Sequence, residues 1–380
     1  PLPSDPLRSL EAHSASSVRA RIGALLSAGA REAYEPFERA ASEWLERARA
    51  LGDSKALEEL ARRFPHSRAA ALADRSRREE ALNSAELAQV LRLCIGATPD
   101  DWNIAQADEN QLHAQFVLHA ALRESGNTEA ATALLTRLLA FHADQASPLA
   151  RDAGRTLAQL REECAQALAQ TPAMPIALEP STTPMRGEPG STLLLGVAPV
   201  QLAPGDQRWT QFLCRRNVQF DTISAWAGDG ASNEALERPL WATKVTQGAA
   251  LPGWRAHISA GALIVANRTS LTALDAASGE LRWSWSSGAG RLDSVTVRSG
   301  VVLLNVEAAQ SVSFVALDAG SGVQLWSRPA AAELWGRPVL GEHELVLLPS
   351  DFAQTPAEVL DLFTGARLTR LQLAQHVGQA

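Results

Sequence analysis

Two spacings of apolar residues divide this chain. Up to about residue 170 the apolar positions recur at helical intervals, and beyond about 190 they gather into short runs of strand length. After Ser54, read as an N-cap, Leu57, Leu60, Ala61 and Phe64 stand at i, i+3, i+4 and i+7. Pro65 then stops the helix, because its ring cannot continue the hydrogen-bond ladder. Asn83 with Glu86 three residues on reads as a capping box leading into Leu87, Val90, Leu91 and Cys94. Gly126-Asn127-Thr128 reads as a break and a cap before Ala131, Leu134, Leu135 and Leu138. The same pattern predicts helices over 31–50, 67–79, 109–123 and 148–169. Successive helices with short breaks predict stacked antiparallel hairpins, an α-helical solenoid over 17–170, since one amphipathic pair cannot bury both its faces.

Residues 171–190 are rich in proline and small polar residues, the composition of an extended linker. Residues 1–16 read as linker or disordered. From 191 to 380 the period becomes two. Ala262–Ala266, Val301–Leu304 and Glu344–Leu348 are short apolar runs bounded by glycine or polar turns, as strands should be. Composition shifts at the same place: residues 1–170 hold 6 of the 25 glycines and only Trp44 and Trp102 of the 10 tryptophans. Glycine supplies tight turns and tryptophan large packing area, so the shift marks a change from helices to turn-rich strands.

Within the second half one unit recurs. Leu271-Thr-Ala-Leu-Asp275-Ala-Ala-Ser278-Gly279 runs on to Trp283, and Phe314-Val-Ala-Leu-Asp318-Ala-Gly-Ser321-Gly322 to Trp326. Glu358-Val-Leu-Asp361-Leu-Phe-Thr364-Gly365 is a third copy, with Thr369 where the tryptophan would stand. The aspartates fall 43 residues apart each time, as do the glycines. A looser copy begins at Ile223-Ser-Ala-Trp-Ala-Gly-Asp229, with an insertion before Trp241. The chemistry of the unit is local. An apolar strand runs into Asp, whose carboxylate caps backbone N–H groups just beyond it, and Gly closes the turn with a positive φ. The next strand brings an aromatic that can wedge against the neighbouring unit. Four short strands in about 40–45 residues, repeated radially, describe a propeller blade. Four such units are expected, at 191–246, 251–287, 291–330 and 334–376.

The motif Ala-Leu-Asp-Ala-x-Ser-Gly-x-x-x-Trp resembles the pyrroloquinoline-quinone-like (PQQ-like) β-propeller repeat. That family includes bacterial quinoprotein dehydrogenases and a propeller lipoprotein of the outer-membrane assembly machinery. The resemblance implies that Trp241, Trp283 and Trp326 dock neighbouring blades, and it implies a bacterial envelope setting. The helical half resembles a degenerate tetratricopeptide array. There Leu60-Ala61-Arg62-Arg63-Phe64-Pro65-His66 and Leu135-Thr136-Arg137-Leu138-Leu139-Ala140-Phe141-His142 echo each other as helix ends.

Charge and chemistry narrow the function. A net charge of −7 argues against a nucleic-acid surface, and no apolar stretch approaches the roughly 20 residues needed to cross a bilayer. Cys94, Cys164 and Cys214 are odd in number and widely spaced, so they form no disulfide framework or zinc ribbon. Cys214 is alone in the β half, whereas the family's dehydrogenases set a vicinal cysteine pair beside the quinone. Asp275, Asp318 and Asp361 hold equivalent places on separate units, which points to turns rather than to a calcium cluster. His113 and His119, six residues apart on one helix, lie about 120° apart and cannot chelate from one face. Trp283 and Trp285 share a strand face and read as blade packing rather than a stacking platform. No catalytic, cofactor or metal site is expected. The expected structural motif is Asp275, Gly279, Trp283, Asp318, Gly322, Trp326, Asp361, Gly365 and Trp241.

Together these observations predict helical repeats followed by PQQ-like blades, acting as a non-enzymatic protein-interaction scaffold in the periplasm or cell envelope. The alternatives are part of a quinoprotein-type oxidoreductase, or the sensory or regulatory region of a larger signalling protein. Family propellers close with seven or eight blades, so the chain reads as a piece of a longer protein. The rest of that protein, or a second copy, would then complete the ring.

Overall fold

The structure, a computed structural model, describes residues 22, 25–26, 29, 31–98, 102–143, 145–152, 154–170, 192–203, 206–215, 220–227, 239–246, 255–288, 290–308, 311–330, 338–349 and 356–371. The expected linkers at 1–16 and 171–190 lie outside these residues, as does most of the insertion before Trp241.

Among the described residues seven regular helices come first: α1 (Arg31–Leu51), α2 (Ser54–Arg63), α3 (Arg68–Asn83), α4 (Leu87–Ile95), α5 (Glu109–Glu124), α6 (Thr128–Leu139) and α7 (Leu157–Gln170). Sixteen strands follow in four antiparallel sheets. The first holds β1 (Thr192–Ala203), β2 (Asp206–Arg215), β3 (Phe220–Ala227) and β4 (Trp241–Thr246). The second holds β5 (Arg255–Ser259), β6 (Ala262–Ala266), β7 (Ser270–Asp275) and β8 (Leu281–Ser286). The third holds β9 (Arg291–Arg298), β10 (Val301–Ala308), β11 (Ser311–Asp318) and β12 (Gln324–Ala330). The fourth holds β13 (Val339–Leu340), β14 (Glu344–Leu347), β15 (Ala357–Asp361) and β16 (Arg367–Leu371). Each sheet keeps its strands in chain order, a four-stranded meander, and matches one of the four expected units.

Some helix boundaries differ from expectation. The cap of α2 is Asp53, which accepts from the Ala56 N–H, and Ser54 is already helical. Asn83 closes α3 instead of opening α4, whose first turn follows Glu86 with no side-chain cap. The 148–169 segment starts with a single 3₁₀ turn at Ala150–Asp152, and the regular helix begins at Leu157. At α2 the residue that caps is the immediate neighbour of the one expected, and at α4 no side chain caps, so spacing alone did not fix either start.

The chain divides into two compact units, 1–84 and 85–380. The first buries Leu45, Leu57, Leu60 and Ala73 between α1, α2 and α3. The second contains α4–α7 and all four sheets, so the compositional break near 170 falls inside it. There α5 is enclosed on every side, and residues 112–122 are all buried, including His113, Gln115 and His119. A helix this enclosed has no solvent stripe, which is why its amphipathic pattern is weak.

Between the sheets, the period of two becomes packing. Every residue of β6 is buried. Leu263 and Val265 belong to the core between the first and second sheets, whereas Ala262, Ile264 and Ala266 belong to the core between the second and third. Successive side chains point to opposite faces, so a strand sandwiched between two sheets must be apolar throughout. The first strands stand side by side, β1 against β5 and β5 against β9.

Candidate functional site at the turn end of the blades

The meander of each sheet places its first and third turns at one end. In the second sheet these are the turns at Ala260-Gly261 and Asp275–Gly279, and in the third those at Ser299-Gly300 and Asp318–Gly322. The motif residues therefore gather at a single end of the array.

Each aspartate closes its own turn. Asp275 Oδ1 accepts from the Ala277 and Ser278 N–H groups at 3.0 and 2.8 Å, and Asp361 Oδ1 from those of Phe363 and Thr364 at 2.9 and 2.7 Å. Asp318 Oδ2 accepts from the Ser321 N–H at 2.8 Å and from its hydroxyl. Gly279, Gly322 and Gly365 follow with φ near +70°, which glycine adopts without a steric penalty.

The tryptophans lie on those glycines, one sheet further along. Trp241 covers Gly279, Trp283 covers Gly322 and Trp326 covers Gly365. A Cβ on Gly322 would stand 2.5 Å from the Trp283 ring, and one on Gly365 2.6 Å from that of Trp326. Each indole N–H donates across the same junction, to the carbonyls of Ala276 (3.1 Å), Ala319 (3.0 Å) and Leu362 (2.9 Å). A buried indole keeps its apolar contact only if this donor is satisfied, and the neighbouring turn satisfies it. A second bond two residues on was not foreseen. Thr243 donates to the Gly279 carbonyl and Arg328 to that of Gly365, whereas the equivalent residue, Trp285, packs against the core between its sheets. Thr369 is exposed on β16.

The same end carries α6. Asn127 caps that helix, its Oδ1 accepting from the Ala130 N–H at 3.0 Å. Its amide nitrogen meanwhile donates to the Gly300 carbonyl at 2.7 Å and to Asp318 Oδ1. Gly300 has φ +70°, and any side chain there would overlap Asn127 and Ala130. Glu129 accepts from the Ser259 hydroxyl at 2.7 Å. At the other end of α6, buried Arg137 pairs with the buried carboxylate of Asp361, its guanidinium 5.1 Å from the centre of the Trp102 ring. Burial lowers the pKa of Arg137 to about 10 while the Glu344 charge opposes it, so the side chain is cationic at neutral pH. One helix thus touches the second, third and fourth sheets.

The equivalent aspartates consequently differ in electrostatics. Burial pushes the Asp318 carboxyl up, against hydrogen bonds from Ser321 and Asn127. Burial acts the same way on Asp275, but bonds from Arg282, Ser278 and Ala277 outweigh it and hold the carboxyl below its usual range. Asp275, Asp318 and Asp361 stay on separate sheets. Among the described residues no group of three or more His, Cys, Asp or Glu could hold a metal ion, and the three cysteines are buried and unpaired with one another. His113 and His119 are core residues of α5. Sequence reasoning saw Asn127 only as a cap and Arg137 only as part of a helix end. Gly300, adjacent to a strand and opposite an apolar run, was the one local sign of a close approach.

A series of four-stranded meanders, joined by an indole seated on the next turn's glycine, is the arrangement expected of a PQQ-like β-propeller repeat. Residues 196–375, just under half of the chain, match the model of the family described as outer membrane protein assembly factor BamB. Among solved structures the chain is similar to BamB from Moraxella catarrhalis, at 19% identity over 42% of this chain and 45% of that one, with a TM-score of 0.28. A europium-containing methanol dehydrogenase matches at 11% identity over 49% of this chain and 44% of that one, TM-score 0.31. The N-terminal domain of Nup159 matches at 11% over 44% and 43%, TM-score 0.30. The chain thus spans less than half the length of each. No curated protein matches it.

Proposed function

We propose that this chain is a non-catalytic protein-interaction module of a bacterial cell envelope, working as a scaffold that presents helical repeats and PQQ-like blades to protein partners. The match of residues 196–375 to the BamB family carries the reading, since that family is described as an assembly factor. The state of the motif residues supports it. Asp275, Asp318 and Asp361 are each engaged by their own turns, and the tryptophans by the next blade, so the recurring polar and aromatic groups serve packing. The three motif aspartates stand on separate sheets, and Cys214 is buried.

Two measurements test the reading. Equilibrium dialysis of the purified chain against PQQ with excess Ca²⁺ should give no stoichiometric binding; a saturable site of one quinone per chain would replace the scaffold reading with that of a quinoprotein oxidoreductase. Cell fractionation of the native protein, followed by in-cell crosslinking, should recover it with envelope proteins. Recovery of the protein solely from the cytosol would overturn the location.

A further inference from the structure

We propose that the turn end of the second, third and fourth sheets is a helix-recognition surface, occupied in this chain by its own segment 125–139. The inference is independent of the envelope role.

The chemistry of the contact carries it. Asn127 does two things at once: its oxygen caps α6 while its nitrogen donates two bonds across to the blade, where a hydroxyl would have only one hydrogen to give. Aspartate or serine would cap as well, but an aspartate has no hydrogen to give. Gly300 leaves room for that approach, with its carbonyl accepting from the amide. The carboxylate of Asp318 lies against the N-terminal turn of α6, where the helix dipole favours negative charge. Ten residues of helix, from Thr128, then bring Arg137 to Asp361, a residue 43 positions beyond Asp318 at the same place in its repeat. The helix therefore reads the repeat itself. Two successive motif aspartates, each with an oxygen left over from closing its turn, take a neutral donor at one end of α6 and a cation at the other. Asp275 is excluded from this set because Arg282 of its own sheet occupies it, at 2.6 Å. The second sheet is held instead through Ser259 and Glu129. Trp102, buried under Arg137, and α4, packed on β12, extend the contact with apolar surface.

A recognition surface should hold its ligand without a covalent tether. The test inserts a specific protease site into the 177–186 segment of the full chain, cuts it, and follows the two pieces by size-exclusion chromatography over a dilution series. The cut wild-type pieces should co-elute at micromolar concentration. In the double variant Asn127→Asp with Arg137→Met, which keeps the α6 cap, they should separate, with a dissociation constant raised about 100-fold or more. Should that variant fail to fold by circular dichroism, Ser259→Ala with Glu129→Gln alters only the rim contact and should raise the constant about 3- to 10-fold. Wild-type pieces that separate on cleavage would overturn the proposal. So would variant pieces that bind each other as tightly as the wild type.

Discussion

The turns at Asp275 and Asp361 carry the same motif and end differently. Both aspartates accept two backbone N–H groups and both precede a glycine with positive φ. At Asp275 the remaining oxygen faces Arg282 from the adjacent strand, in a pair that is partly solvent-exposed. At Asp361 the remaining oxygen is buried and faces Arg137, which arrives from a helix more than 200 residues earlier in the chain. The first pair is local and replaceable. The second is a buried ion pair whose members each depend on the other, because either one alone would be an uncompensated charge away from water. A repeat can therefore keep its turn geometry while the spare oxygen of its aspartate is assigned a different task in each copy.

Several substitutions would break or sharpen this comparison. The largest effect is expected where a blade junction is emptied. Trp326→Ala removes an indole seated on Gly365 and should lower stability by about 4 kcal/mol, read from the urea midpoint of the second unit. A loss under about 1 kcal/mol would show that the junctions do not carry the array. Asp361→Ala strands Arg137 and two N–H groups and should cost about 3–5 kcal/mol. Asp275→Ala, at the exposed counterpart, should cost about 1 kcal/mol. Equal losses at the two positions would erase the distinction drawn here.

A pH titration probes the buried helix behind the docked one. Burial, with the Arg123 charge nearby, lowers the pKa of His119 on α5 to about 4. The unfolded chain takes up that proton near pH 6.5 and the folded chain only near pH 4, so stability is full above 6.5 and falls as the pH drops towards 4. The loss should reach about 3 kcal/mol, and His119→Leu should flatten it. A wild-type curve level from pH 7 to 4.5 would contradict the burial of that ring. An intermediate effect is expected at Asn127→Asp, which retains the cap but loses two donations, about 2 kcal/mol. Asn127→Ala should lose somewhat more, since the cap goes too.

Much of the blade array was legible in the residues because its causes are short-range. Asp, Ser or Thr, and Gly within five residues close a turn by bonds among themselves, and the 43-residue step recurs because each blade is one copy of a self-contained meander. Apolar runs such as Ala262–Ala266 marked strands covered on both faces. The cap of α2 is Asp53 rather than Ser54, and α4 starts with no side-chain cap, because which polar residue reaches the first N–H groups depends on how the preceding chain enters the turn. α5 was read as amphipathic, yet it is enclosed on all sides by partners that no window of its own residues reveals.

What the chain determined alone was therefore its list of parts: helices, then four meanders, three of them with a turn aspartate and a turn glycine, and three with a tryptophan for the next. Tertiary structure decided where the parts end their bonds. It joined α4–α7 to the sheets in one unit, gave Asp318 to Asn127 at a separation of 191 residues and Asp361 to Arg137, and left Asp275 to its own blade. The physical reason is that a turn's geometry is set by the residues within it, whereas a spare carboxylate oxygen takes whichever donor the packing of distant elements brings within reach.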